Sequence, residues 1–261
     1  MKSRMRLPAH QLAASLVAVF ALSSAAVPTA AHAGGAAVDR LRLTGTWDRY
    51  PGPGGKLDPR FTSAPPAPPP PLKPKYMTEW EARQKAAHEA DLRGQPLYSG
   101  YAQCLPDGMP AMMMGMFPME IFQRPEQINI TQEAFTQLRR IYMNEKMPPL
   151  DSFEPGFYGR SVGHWEGDTL VVETMGIKPN IEFRWTPHSE NMKITERIHL
   201  MAPDYLRDDI TVTDDYLEKP WTYSYSFKRM KGYKMQEYVC EDNREYVDEN
   251  GKQKLRLPGE Q

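Results

Sequence analysis

The residues best suited to chemistry are one histidine and a set of charged side chains that fall on apolar faces. His188 sits in the run Pro187-His188-Ser189-Glu190. Imidazole titrates near neutral pH, and a neighbouring carboxylate can orient and charge it. Glu196 then falls in register with Ile194, Ile198 and Leu200, and Asp208 with Leu206, Ile210 and Val212. Glu237 alternates with Tyr233, Met235 and Val239. Arg139 shares a period with Phe135, Ile141 and Met143, in a stretch whose phase stays open because Leu138 and Tyr142 lie opposite. A charge taken out of water is costly unless paired. These positions therefore imply internal ion pairs, such as an Arg–Glu pair plugging a barrel end, or a polar lumen that holds a ligand. As catalytic chemistry, His188 would be the general acid or base and Glu190 or Glu196 would orient it. Arg139 with Tyr223 or Tyr225 would stabilise a developing oxyanion. The competing reading of residues 187–190 is an ordinary turn.

Two further groups bear on a ligand. Met109, Met112, Met113, Met114, Met116 and Met119 crowd into eleven residues broken by Pro110 and Pro118. Such a loop suits flexible apolar cover over a cavity, with Met112 and Met113 against the ligand. Clustered thioethers also bind Cu(I), a third and weaker reading. Trp185, Trp221, Tyr223 and Tyr225 fit a greasy, flat molecule, and Asp208 would line the same space. No HExxH, HxH or His/Cys cluster occurs, so no metal site is expected. There is no GxGxxG, P-loop or GxSxG, so no nucleotide cofactor or hydrolase elbow is expected. With 32 basic and 33 acidic side chains in 261 residues, the chain lacks the basic field that nucleic acid or anionic membrane would need.

The elements that must position these groups are β. Trp221, Tyr223, Tyr225 and Phe227 alternate with Thr222, Ser224, Ser226 and Lys228. Further strands are predicted at Ile128–Ile130, Leu138–Met143, after the Gly167-Asp168 turn, around Ile194–Leu200 and Ile210–Val212, and over Tyr233–Cys240. Eight to ten strands with short connections and no interleaved helices exclude a βαβ fold. They favour an antiparallel lipocalin-like β-barrel over a β-sandwich. One helix is predicted over residues 79–93, with Thr78 and Glu81 as a capping box and Gly94 as the stop. Its weakly apolar face (Trp80, Ala87) suits packing on the rim of something larger. The Pro/Gly-rich arm of residues 34–75 carries proline runs that cannot join a ladder, though Gly45-Thr-Trp47 is compatible with a short strand. The barrel domain is then residues 76–261.

The first 33 residues read as an export signal. Lys2, Arg4 and Arg6 precede an apolar stretch from Leu12 to Ala26, and Ala31-His32-Ala33 supplies the cleavage pattern. Cleavage after Ala33 would leave a periplasmic or secreted protein with no membrane anchor and a formal charge near −4. In an oxidising compartment Cys104 and Cys240 are expected to pair as a disulfide.

The stretch from Cys104 to Asn243 resembles a family of exported proteobacterial and acidobacterial proteins to which no activity attaches. The resemblance rests on Cys104-Leu-Pro-Asp-Gly-Met-Pro110, Arg139-Arg-Ile-Tyr142, Gly163-His-Trp-Glu-Gly-Asp-Thr-Leu-Val-Val-Glu-Thr174, Pro187-His-Ser-Glu190, Glu196-Arg197 and Lys219-Pro-Trp-Thr222. Asn144-Glu-Lys-Met-Pro148 departs from the family pattern, which has a histidine there. The resemblance implies a module, not a reaction, and directs interest to residues 188–190.

Two functions follow nearly level. One is a cofactor-independent exported enzyme, a lyase, isomerase or hydrolase acting on a hydrophobic or aromatic small molecule. The other is a non-catalytic periplasmic binding protein for such a molecule.

Overall fold

The computed structural model describes residues 41–52, 56, 58–61, 63–94, 105–114, 117–181, 183–238, 245–250 and 253–255. The export segment, Cys104 and Cys240 lie outside them, so neither the signal nor the disulfide is tested by the structure.

Nine strands close into a barrel in sequence order. They are β1 (Gly45–Arg49), β2 (Met119–Gln123), β3 (Gln127–Gln132), β4 (Gln137–Met143), β5 (Arg160–Glu166), β6 (Thr169–Met175), β7 (Lys193–Ala202), β8 (Tyr205–Thr213) and β9 (Trp221–Arg229). β1 pairs with β9 and closes the circle. The lipocalin-like barrel predicted from the alternation is therefore the fold. The strand at Gly45 belongs to the barrel, although it lies inside the proline-rich arm. Eight of the nine contacts are antiparallel; β4 and β5 run parallel. A parallel neighbour needs a crossover connection, and residues 144–159 supply it. Gly163 sits where these two strands meet, and a Cβ there would lie 2.8 Å from Ile141 Cγ2.

The inner face is built by the period-2 rule. Ile128, Ile130, Ile141, Leu170, Val172, Ile194, Ile198, Leu206, Ile210 and Phe227 form one apolar core. Of the strand expected over 233–240, the described residues 233–238 do not form one. Residues 233–238 are irregular, and Glu237 is exposed. Tyr233 instead donates its hydroxyl to Glu133 Oε1 at 2.7 Å, beside the β3–β4 turn. A separate short hairpin pairs β10 (Glu245–Val247) with β11 (Gln253–Leu255).

The helix α1 spans Pro74–Leu92, starting earlier than predicted. Pro74 is preset for the first helical turn, where its missing N–H costs nothing. Thr78 is therefore inside the helix, and its hydroxyl donates back to Pro74 O at 3.1 Å instead of forming a capping box. The helix does rest on the barrel rim. Trp80 Nε1 and Gln84 Nε2 both donate to Arg184 O, and Tyr76 stacks on Tyr216 at 3.9 Å between centroids.

Candidate functional site

β4, β5, β6 and β7 are successive neighbours, and each aims one polar side chain at the same point inside the barrel. Arg139 of β4 reaches across to Glu196 of β7. Its Nη1 donates to Glu196 Oε1 at 2.8 Å and its Nη2 to Glu196 Oε2. Nε donates to Ser161 Oγ at 3.2 Å, and Nη2 also to Thr174 Oγ1 at 2.9 Å. Ser161 and Thr174 share a hydrogen bond of 2.7 Å. Both charged side chains are wholly shielded from solvent. The phase left open for Arg139 is thus settled inward, with Gln137, Ile141 and Met143. A forked guanidinium meeting both carboxylate oxygens is the geometry in which a buried pair can offset its desolvation.

Asp208 lies beside this pair on β8, opposite Ile198 of β7 and Tyr225 of β9. It is fully buried, and neither carboxyl oxygen has a donor within hydrogen-bonding distance. Burial pushes its carboxyl far above the usual carboxylate range. The Glu196 charge and a hydrogen bond shared with Glu196 add to the rise, and Arg139 partly opposes it. Two adjacent carboxylates in a low dielectric cannot both stay ionised. Glu196 holds the guanidinium, so the rise falls on Asp208, whose protonated carboxyl would donate to Glu196.

Above Asp208 runs a ladder of aromatic side chains. Tyr225 meets Tyr223 at 5.6 Å, Tyr223 meets Trp221 at 4.8 Å, and Phe183 stands 5.8 Å from both Trp221 and Tyr223. Burial raises the Tyr223 phenol well above its ordinary value, and its hydroxyl has no hydrogen-bond partner. Burial also raises Tyr225, to about 12, against the opposing pull of Arg49 and Arg184.

Phe183 and Trp221, at the end of the ladder, wall a shallow cleft whose enclosed space is about 20 Å³. The cleft is bounded by Pro110, Ile181, Phe183, Thr186, His188 and Trp221, among others. It opens at the barrel end that carries the β6–β7 and β8–β9 connections. The arm crosses this end: Trp221 Nε1 donates to Pro68 O at 3.0 Å, and Leu72 bridges to Leu217. The hydroxyl of Thr186 on the cleft wall also lacks a partner.

His188 lies on that wall and is only 7% exposed. Its Nδ1 is 2.9 Å from Ser189 O and its Nε2 is 3.0 Å from Ile181 O. The ring therefore ties the β6–β7 loop together through main-chain carbonyls. The carboxylate expected to orient it does not do so. Glu190 is exposed, and Glu196 is held by Arg139 deeper in the barrel. The acid that organises this loop is Asp214. Its Oδ2 accepts from Ser189 N at 2.9 Å and Ser189 Oγ at 2.8 Å, and its Oδ1 accepts from Tyr216 N at 2.8 Å. Sequence reasoning passed over Asp214, since Asp214-Asp215 after a strand reads as a turn. It also missed Ser161, Thr174, Phe183, Arg49 and Arg184.

The other expected ligand contacts divide. Trp221, Tyr223, Tyr225 and Asp208 come together as described. Trp185 is half-buried and not among the cleft-wall residues. Met112 and Met113 are not a surface lid: both are buried in the core, and Met112 O accepts from Gln132 Nε2 at 3.1 Å. Among the described residues no group of three or more His, Cys, Asp or Glu side chains could hold a metal ion.

No family model matches the chain, and no curated protein matches it.

Proposed function

We propose that this protein is an exported barrel that binds a small hydrophobic or aromatic molecule through the cleft at its Trp221 end. One observation carries the reading. Phe183 and Trp221 wall an apolar cleft, and beside them the buried hydroxyls of Thr186, on the cleft wall, and of Tyr223, packed on Trp221, have no hydrogen-bond partner among the described residues. A buried donor or acceptor left unmade costs about 1–3 kcal/mol. Such groups beside an aromatic cleft are what a ligand with one polar end would satisfy. The saturated Arg139–Glu196 pair and the carbonyl-held His188 support binding over acid–base turnover by those residues. The N-terminal pattern Lys2 to Ala33 supports export.

The experiment is native mass spectrometry of the full chain purified from its natural host, followed by titration with 2-naphthamide monitored by Trp221 fluorescence. Retained small-molecule mass or saturable quenching that disappears in Trp221→Ala supports the reading. No bound mass and no saturable response would sink it.

A second reading, a cofactor-independent lyase, isomerase or hydrolase, draws support from Asp208. A carboxyl held neutral in an apolar site can donate a hydrogen bond or a proton to a substrate oxygen. In that reading Asp208→Asn abolishes turnover while leaving binding intact.

A further inference from the structure

The cleft as it stands has no room for an aromatic guest. Its enclosed space of about 20 Å³ holds about one water, so the walls carrying Phe183 and Trp221 must part before a ring can lie between them. One segment, the strap of residues 67–73 continued by α1, ties those walls together. On one wall Trp221 Nε1 donates to Pro68 O at 3.0 Å. Leu72 bridges to Leu217 there, between hydrogen bonds of 2.8 Å from Lys73 N to Tyr216 O and from Glu218 N to Pro71 O. On the other wall the segment grips Arg184, the neighbour of Phe183. Arg184 Nη1 donates to Ala67 O at 3.2 Å, and Arg184 O accepts from Trp80 Nε1 at 3.1 Å and Gln84 Nε2 at 2.9 Å. Arg184 and Trp185 stand at φ 53° and 57°. Residues other than glycine hold that conformation only where their surroundings impose it, and the strap and α1 are those surroundings. The strap is also built to let go. Pro68 to Pro71 have no N–H, so undocking leaves no donor of theirs unmade. Proline also limits the chain's freedom when undocked, so redocking loses little entropy.

We propose that residues 67–84 are a clasp that holds the Trp221 cleft shut, gripping one wall at Leu217 and Trp221 and the other at Arg184, and that the guest enters when the clasp undocks. This rests on the binding function proposed above and describes its closed state. Undocking removes the three bonds that hold Arg184, and with them the constraint on the left-handed turn that carries Phe183. The closed form admits no guest, so the apparent affinity falls with the fraction of molecules that are closed. The clasp thereby sets both access and affinity.

Two measurements on the full chain test this. The first needs no ligand: amide hydrogen exchange followed by NMR. The Lys73 and Glu218 amides, which bond across the strap, should exchange roughly a hundredfold faster than the amides of β7 and β8, through an opening that leaves the barrel folded. Trp80→Phe with Gln84→Ala removes both donors to Arg184 O and touches no cleft-wall residue, so it should speed exchange at Lys73 and Glu218 by about tenfold and leave β7 and β8 unchanged. Exchange at Lys73 and Glu218 as slow as in β7 and β8 makes the strap a fixed part of the barrel and overturns the clasp. The second measurement locks it. Leu72 and Leu217 face each other between the two flanking hydrogen bonds, the antiparallel position where side chains lie closest, and a disulfide can span that separation. Leu72→Cys with Leu217→Cys, its cross-link confirmed by peptide mapping, should lose 2-naphthamide binding by isothermal titration calorimetry when oxidised and regain it when reduced. The parent protein with and without the same reductant is the control. Equal binding by the oxidised and reduced forms overturns the clasp and leaves the binding function standing. Binding by neither form nor by the parent overturns the binding function, and the exchange rates then decide the clasp alone.

Discussion

Replacing Arg139 by methionine should expose how the barrel interior is balanced. The side chain keeps most of its apolar volume but loses the charge. Glu196 then loses both donors to its two oxygens, while Ser161 and Thr174 keep their mutual 2.7 Å bond. The cost falls on one buried, unpaired carboxylate with Asp208 beside it. Breaking a buried pair from one side costs about 4 kcal/mol. At about 2–4 °C per kcal/mol for a domain of this size, Tm should fall by roughly 8–16 °C. Arg139→Met with Glu196→Leu removes both charges and should recover to within about 1 kcal/mol of the parent, since apolar replacement of a whole buried pair is often neutral. Urea unfolding followed by tryptophan fluorescence gives all three values. If Arg139→Met alone costs under about 1 kcal/mol at pH 8, Glu196 is solvated by lumen water and the reasoning fails.

Asp208→Asn should stabilise the fold increasingly as pH rises. Asp208 holds its proton in the barrel at pH values where the unfolded chain, with a pKa of about 3.9, has released it. Its contribution is thus complete below that pH and is lost as pH rises through the folded value, so unfolding midpoints of parent and variant should diverge between pH 5 and pH 8. Gly159→Ala should destabilise by about 1–3 kcal/mol. Gly159 sits at φ +60°, and a Cβ there would meet Met175 O at 2.3 Å, a main-chain atom that cannot yield; a denaturation midpoint within error of the parent would contradict this. Trp221→Ala should cost roughly 3–5 kcal/mol, because Trp221 is 3% exposed and packs against both Phe183 and Tyr223; thermal unfolding checks it.

Much of the barrel was legible because one face of each strand is apolar and the period is 2. That rule placed Glu196 and Asp208 inward from single sequence windows, but it left Arg139's phase open between the Ile141 and Tyr142 faces. It could not reveal partners. Arg139 and Glu196 are 57 positions apart, and they meet only because β4 to β7 curve around a closed lumen. Strand direction was equally hidden. Alternation reads the same forwards and backwards, so the parallel β4–β5 contact depends on the return path of residues 144–159. The 233–240 stretch alternates as well as any strand, yet Thr136 and Glu133 capture Tyr238 O and the Tyr233 hydroxyl beside the β3–β4 turn. The early start of α1 was written in Pro74, whose preset φ outweighed the Thr78–Glu81 pattern.

His188 shows why a reactive-looking motif is weak evidence without its neighbours. Proximity in sequence to Glu190 suggested an oriented base, but consecutive loop residues point in different directions. The ring turned inward to the carbonyls of Ser189 and Ile181, and Glu190 turned to solvent. The same physics separates the interior into two kinds of polar residue. Arg139, Glu196, Ser161 and Thr174 satisfy one another, so they lock the strands they come from and gain nothing from a guest. Tyr223 has no hydrogen-bond partner among the described residues, which is a standing cost in stability. In the proposed binding function, an unpartnered hydroxyl that weakens the empty barrel has its physical rationale in the occupied state, which sets Tyr223, packed on the cleft-wall Trp221, apart from the self-satisfied ion pair.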